Sequence, residues 1–117
     1  MEVNVTAPES EISRAFVQGM ADRMAMSFFK YGRVREAYTG RVYAIASLKL
    51  RLEKYAETGN TEYLMDVANF AMIEYMHPKH QAAHFTATDD KESPGRVWNG
   101  EMDPNQLPNR IEDHVRQ

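Results

Sequence analysis

The sequence predicts an all-α protein: a three-helix core at about residues 7–30, 39–57 and 61–76, followed by an irregular C-terminal arm. Three observations support this reading. Apolar side chains recur at helical spacing through Ile12, Phe16, Met20, Met24 and Phe28. Two further helical runs are separated only by a short Gly59-Asn60 break. The second of these, Tyr63 to Met76, is apolar around most of its circumference, the pattern of a helix central to a bundle or at an oligomer interface.

Each element has its own signals. Thr6-Ala7-Pro8-Glu9 reads as a capping box with Pro8 in the first turn, which would start helix one near residue 7. Gly19 costs about 1 kcal/mol against Ala inside a helix, so its presence implies close packing there. Tyr31-Gly32 ends the run, and a basic, aromatic connector, KYGRVREAYTGRVY, follows at 30–43. Helix two, from about Thr39 to Glu57, places Val42, Ile45, Leu48, Leu52, Tyr55 and Ala56 on one face. Gly59 suits the position just past a helix end, and Asn60 or Thr61 can cap helix three, so helices two and three should form a tight antiparallel hairpin. Pro78 ends helix three. From His77 onward the chain holds four of the five prolines and every histidine, with little periodicity beyond room for a short helix at 108–116. The whole is expected to be one domain over 1–117, with a helical core at 1–76 and an extended arm at 77–117.

Composition narrows the function classes. Without cysteine there is no disulfide scaffold, thiolate metal site or cysteine nucleophile, and the reducing cytoplasm is the simplest home. No apolar run approaches the roughly 20 residues that cross a bilayer, and MEVNVTAPESE lacks the features of a secretion signal, so no membrane partner is expected. A net charge of −3 argues against binding a nucleic acid polymer. The charge is uneven, net +2 over residues 1–57 and −5 over 58–117, which can steer an anionic small molecule or a second subunit.

Glu62, Asp66, Asn69 and His77 fall in one narrow strip of the otherwise apolar third helix. A carboxylate there needs a partner, and Arg41 or Lys49 on helix two would serve. The bland reading is that Asp66 forms such a pair and Asn69 ties down a loop. A catalytic reading would set Glu53 and Glu57 against Glu62 and Asp66 as Mg²⁺ ligands.

Two other groups can hold a ligand. The connector offers Arg33, Arg35 and Arg41 for phosphate and Tyr38 for stacking on a base. The arm offers Lys79, His80 and the SPGR turn with Ser93 and Arg96, a candidate anion clasp. His77, His80 and His84 lack a fourth zinc ligand, and Pro78 interrupts any regular face, so no metal site is expected. No phosphate loop, serine-hydrolase elbow or other nucleophile–base spacing is present.

Certain strings carry resemblances. EYLMDVANF resembles the acidic second motif of MazG-like all-α nucleotide pyrophosphohydrolases, which implies Mg²⁺-dependent cleavage. Here, however, no Glu-Glu pair exists, Tyr63 stands where that motif has Glu, and Glu53 and Glu57 point off the apolar face. KYG, LRLEKYAETGNTEYLMDVANFAMIEYMHP and TDDKESPGR, from about Lys30 to Trp98, resemble small proteins of bacteriophages and prophages. In its short, cysteine-free, helical profile the chain is also similar to phage sponge proteins, which counter CBASS or Thoeris defence by sequestering cyclic nucleotides or ADP-ribose-derived signals. The expectation is therefore non-catalytic binding of a phosphate-bearing nucleotide signal in the host cytoplasm, without cofactor. The expected site residues are Arg33, Arg35, Tyr38, Arg41, Asp66, Asn69, Lys79, His80, Ser93 and Arg96, the arm residues coming from a neighbouring copy. The alternatives are a MazG-like pyrophosphohydrolase and a protein-only inhibitor of a host enzyme.

Overall fold

A computed structural model describes residues 6–37, 42–88, 95, 97–98 and 101–102. The fold is all-α, as the periodicity predicts. In chain order the helices are α1 (Arg14–Tyr31), α2 (Val34–Ala37), α3 (Ala44–Thr58) and α4 (Glu62–Met76), preceded by a single 3₁₀ turn at Glu9–Glu11. The chain divides into two compact units, Met1–Ala83 and His84–Gln117.

The capping box at Thr6 does not start α1. Ile12 adopts an extended conformation after the 3₁₀ turn, and Ser13 becomes the cap, its hydroxyl accepting from Phe16 N at 3.0 Å. Serine is as good a cap as threonine and lies directly before the unbroken run, so the nearer site is used. At the other end, Gly32 (φ 83°) closes α1 with its N–H on the Phe28 carbonyl.

The turn of the hairpin follows its sequence signals closely, although α3 begins at Ala44 rather than near Thr39, so that Val42 precedes the helix instead of sharing its face. Gly59 is left-handed (φ 74°, ψ 7°) and donates its N–H to Tyr55 O at 2.8 Å, a conformation that costs most residues a Cβ clash. Thr58 Oγ1 donates to Lys54 O, Asn60 N donates to that hydroxyl, and Asn60 Oδ1 accepts from Glu62 N at 3.0 Å. Of the two candidate caps, Asn60 supplies the bond, and Thr61 makes none through its side chain. The connector is therefore almost fully hydrogen-bonded, and α3 packs along α4 across it.

Helix α4 is the central element, contacting both α1 and α3. Its Asn69, Phe70 and Ile73 are buried, joined by Ala44 of α3, with Met24, Val34 and Leu48 packed around them. Gly19 of α1 lies against the Met65 side chain of α4: a Cβ there would lie 2.5 Å from Met65 Sδ. Helix α3 is rotated relative to the expected face. Ala44, Leu48, Arg51 and Tyr55 turn inward, while Ile45 and Leu52 are exposed. The short buried face of α3 is narrower than its apolar stripe, so the surplus faces away from α4.

Residues just past α4 belong to the first unit. Lys79 N donates to Glu74 Oε2, and Lys79 Nζ donates to Val42 O at 3.1 Å while lying 4.0 Å from the Tyr43 ring centre. These bonds hold the segment after Pro78 against the residues that lead into α3.

In the second unit, β1 (Val97–Trp98) pairs antiparallel with β2 (Glu101–Met102), Trp98 opposite Glu101 and Val97 opposite Met102. The arm was expected to be irregular here. The overlooked signal is Asn99-Gly100 between the paired residues, the two-residue sequence most favoured in tight hairpins. The short helix expected at 108–116 lies outside the described residues.

Candidate ligand cleft between α1, α3 and α4

Between the three long helices lies a cleft of about 250 Å³. Helix α1 contributes Arg23, Ser27, Lys30 and Tyr31 at intervals of four, three and one, with Met24 and Met26 beside them; α3 contributes Arg51; and α4 contributes Asp66, Asn69, Phe70 and Ile73. The spacing on each long helix is that of one face, so the cleft is built from the inward stripes of α1 and α4 and closed by one residue of α3.

Asp66 has the partner that its burial requires, and among the described residues it is Arg23 rather than Lys49, which is exposed; Arg41 lies outside the described residues. Arg23 grips it with two donors, Nε to Oδ1 at 2.6 Å and Nη2 to Oδ2 at 3.2 Å, and sends Nη1 to Glu62 at 2.7 Å. Arg51 approaches the same carboxylate at 3.7 Å, an ion pair rather than a hydrogen bond, and its guanidinium lies 5.1 Å from the Phe70 ring centre. The hydrogen bond to Asp66 is the main cause that raises Arg23's pKa above its ordinary value, opposed in part by burial. Arg23 is thus a structural cation. Arg51 and Lys30 stand beside it with much less neutralisation, because the lining holds three cations against one carboxylate.

Asn69 is 6% exposed. Its Nδ2 donates to Met20 O at 3.0 Å, tying α4 to the backbone of α1. Its Oδ1 is buried and has no hydrogen-bond partner among the described residues. An unsatisfied buried acceptor costs about 1–3 kcal/mol and calls for an explanation.

The expected site residues separate into groups. Asp66 and Asn69 meet in the cleft. Arg33 and Arg35 are exposed and do not line it; the Arg33 carbonyl instead accepts from Glu36 N and Ala37 N at the start of α2. Lys79 is engaged by Val42 O and Tyr43, and exposed His80 accepts from Ala82 N through Nδ1. Tyr38, Arg41, Ser93 and Arg96 lie outside the described residues, as does any meeting of Arg41 with Arg96. Gly95 has φ 90°, the value that a Pro-Gly type II turn asks of its glycine.

Arg23, Lys30, Tyr31, Arg51 and Phe70 were not among the expected residues. The signal that could have found the two arginines is positional. Arg23 falls in register with Phe16, Met20, Met24 and Ser27, and Arg51 with Ala44, Leu48 and Tyr55, so each is a charge on an inward stripe. Three of the four carboxylates considered for Mg²⁺ are otherwise occupied: Arg23 binds both Glu62 and Asp66, and Glu57 lies 3.8 Å from Lys54. Among the described residues no group of three acidic or histidine side chains could hold a metal ion, and no helix is long and apolar enough to cross a membrane.

No protein-family model matches the chain, no curated protein matches it, and no solved structure matches its fold.

Proposed function

We propose that this chain binds a phosphate-bearing, nucleotide-derived signal, such as a cyclic nucleotide or an ADP-ribose derivative, and holds it without transforming it, so that host defence signalling is blocked. The observation that carries the reading is the surplus of positive charge in one cleft: Lys30 and Arg51 beside an arginine already satisfied by Asp66, with Tyr31 as a ring face. Guanidinium and ammonium groups neutralise phosphate, and aromatic faces stack bases without demanding one sequence or substituent. A volume of about 250 Å³ lies just below the roughly 300–1,000 Å³ typical of small-molecule sites, which suits a mononucleotide-sized portion of a guest.

Self-association is part of the proposal. The buried apolar residues of the described chain are few, Ala44, Phe70 and Ile73, while Val17, Met26, Phe28, Ile45, Leu52 and Tyr75 are exposed and Phe29 is 84% exposed. A second copy would cover such residues and enlarge a shallow cleft. The same exposed side chains favour the second reading, a protein-only inhibitor seated on a host enzyme.

The test is calorimetric titration with cyclic dinucleotides, ADP-ribose derivatives, mononucleotides and pyrophosphate, followed by heating and analysis of what is released. The reading expects recovery of intact ligand, affinity that falls with salt, and a loss of about tenfold or more in Lys30→Gln, the scale of a charge-assisted contact. Absence of binding by every anion, with a host protein co-purifying, would establish the inhibitor instead. Products that appear only with Mg²⁺ would establish the pyrophosphohydrolase.

A further inference from the structure

We infer that Asn69 selects the ligand: its orphan Oδ1 accepts from an N–H on the base of a nucleotide whose phosphate lies on Lys30 and Arg51. This deepens the binding reading above and rests on it.

The orientation of the amide is set by its surroundings. Asn69 Nδ2 donates to Met20 O at 3.0 Å, and turning the amide over would place Oδ1 against that carbonyl, two acceptors with no proton between them. The group presented elsewhere is therefore an acceptor only. It is buried, without a partner among the described residues, and belongs to a side chain that lines the cleft, so a donor entering the cleft reaches it as the atoms covering it move aside. Its neighbours along α4 are Asp66, whose oxygens are engaged by Arg23 and Arg51, and Phe70, whose ring carries Arg51. No hydrogen bond among the described residues uses this oxygen. A ligand that brings an N–H donor to it removes the penalty of an unsatisfied acceptor on binding, and a ligand of the same shape without the donor does not.

That difference is the basis of selectivity. A site built to hydrogen-bond a substrate group rejects the analogue that lacks it far more strongly than an apolar pocket rejects a missing methylene. The class implied is a nucleotide with an exocyclic amine at its inner end, an aminopurine or aminopyrimidine rather than a bare sugar phosphate.

The test uses the full chain and two matched pairs: AMP against purine riboside monophosphate, and CMP against the corresponding pyrimidin-2-one nucleotide. Each pair differs in the base donor alone. Ribose, phosphate and ring size are kept, so a hydroxyl donor or a tightly held water on Oδ1 would leave the two members equal. In the pair whose base fits, the donor-bearing member is expected to bind about tenfold or more tightly. In Asn69→Ala, with its helical circular dichroism unchanged, the ratio falls toward one. The wild-type comparison alone decides the matter if that variant does not fold. Equal affinities within both pairs, or binding of pyrophosphate with neither pair bound, overturn the assignment of Asn69 while leaving the anion site standing. Failure of pyrophosphate and of every nucleotide overturns both.

Discussion

Asp66→Ala offers the sharpest check on the electrostatics of the cleft, because stability and anion affinity should move in opposite directions. The carboxylate is 16% exposed and takes two hydrogen bonds from Arg23, which is itself 32% exposed. Removing one member of a fully buried pair costs about 3–5 kcal/mol, whereas an exposed pair contributes only about 0–1 kcal/mol. This pair lies between, and Arg23 keeps Glu62 as a second, largely exposed partner. The expected loss is therefore about 2 kcal/mol, in line with a charge-assisted hydrogen bond. For a unit of this size that lowers Tm by about 8–16 °C. Glu62→Ala, at a carboxylate 57% exposed, should cost under about 1 kcal/mol. Both follow from urea denaturation monitored by far-UV circular dichroism. Anion affinity, measured by titration with pyrophosphate, should rise in Asp66→Ala, since among the described residues the cleft loses its one lining carboxylate and keeps three cations. The reasoning is refuted if Asp66→Ala costs no more than Glu62→Ala, or if its affinity for pyrophosphate falls while the chain remains folded.

Two further substitutions probe the frame that holds the cleft. Gly59→Ala forces a Cβ into a left-handed residue at φ 74° and should destabilise by about 1–2 kcal/mol, with Gly59→Asn costing less; equal stability of all three by denaturation would contradict the αL assignment. Gly19→Ala sets a helix-propensity gain of about 1 kcal/mol against a Cβ placed 2.5 Å from the mobile end of Met65. The alanine should therefore be nearly neutral in the native chain and clearly stabilising in Met65→Ala. A double-mutant cycle with no coupling between the two positions would show that they do not touch.

The local grammar of this chain was legible without coordinates. Apolar periodicity located the long helices, Gly59 and Asn60 marked the hairpin and its cap, Gly19 announced a close helix approach, and the apolar circumference of α4 identified the central element. Such signals lie within a few residues of what they control, so a linear pattern can carry them. The Thr6 capping box pointed to a start of α1 near residue 7, whereas Ser13, directly before the unbroken apolar run, caps the helix. The pairing of β1 with β2 also has a local signal, the Asn99-Gly100 dipeptide in the sequence between them.

Tertiary structure decided the rest. An apolar stripe has a width, and its centre is set only by the neighbour it meets. Ala44, Leu48 and Arg51 turned inward while Ile45 and Leu52 did not. The same holds for charge: Asp66 announced that it needed a cation, but its partner Arg23 lies 43 residues away, beyond any pattern of neighbouring letters. Coulomb attraction acts through space and helical periodicity along the chain. The chain therefore stated by itself that a buried carboxylate and amide must be satisfied, and only folding determined which arginines gather round the one and that an oxygen of the other has no partner among the described residues.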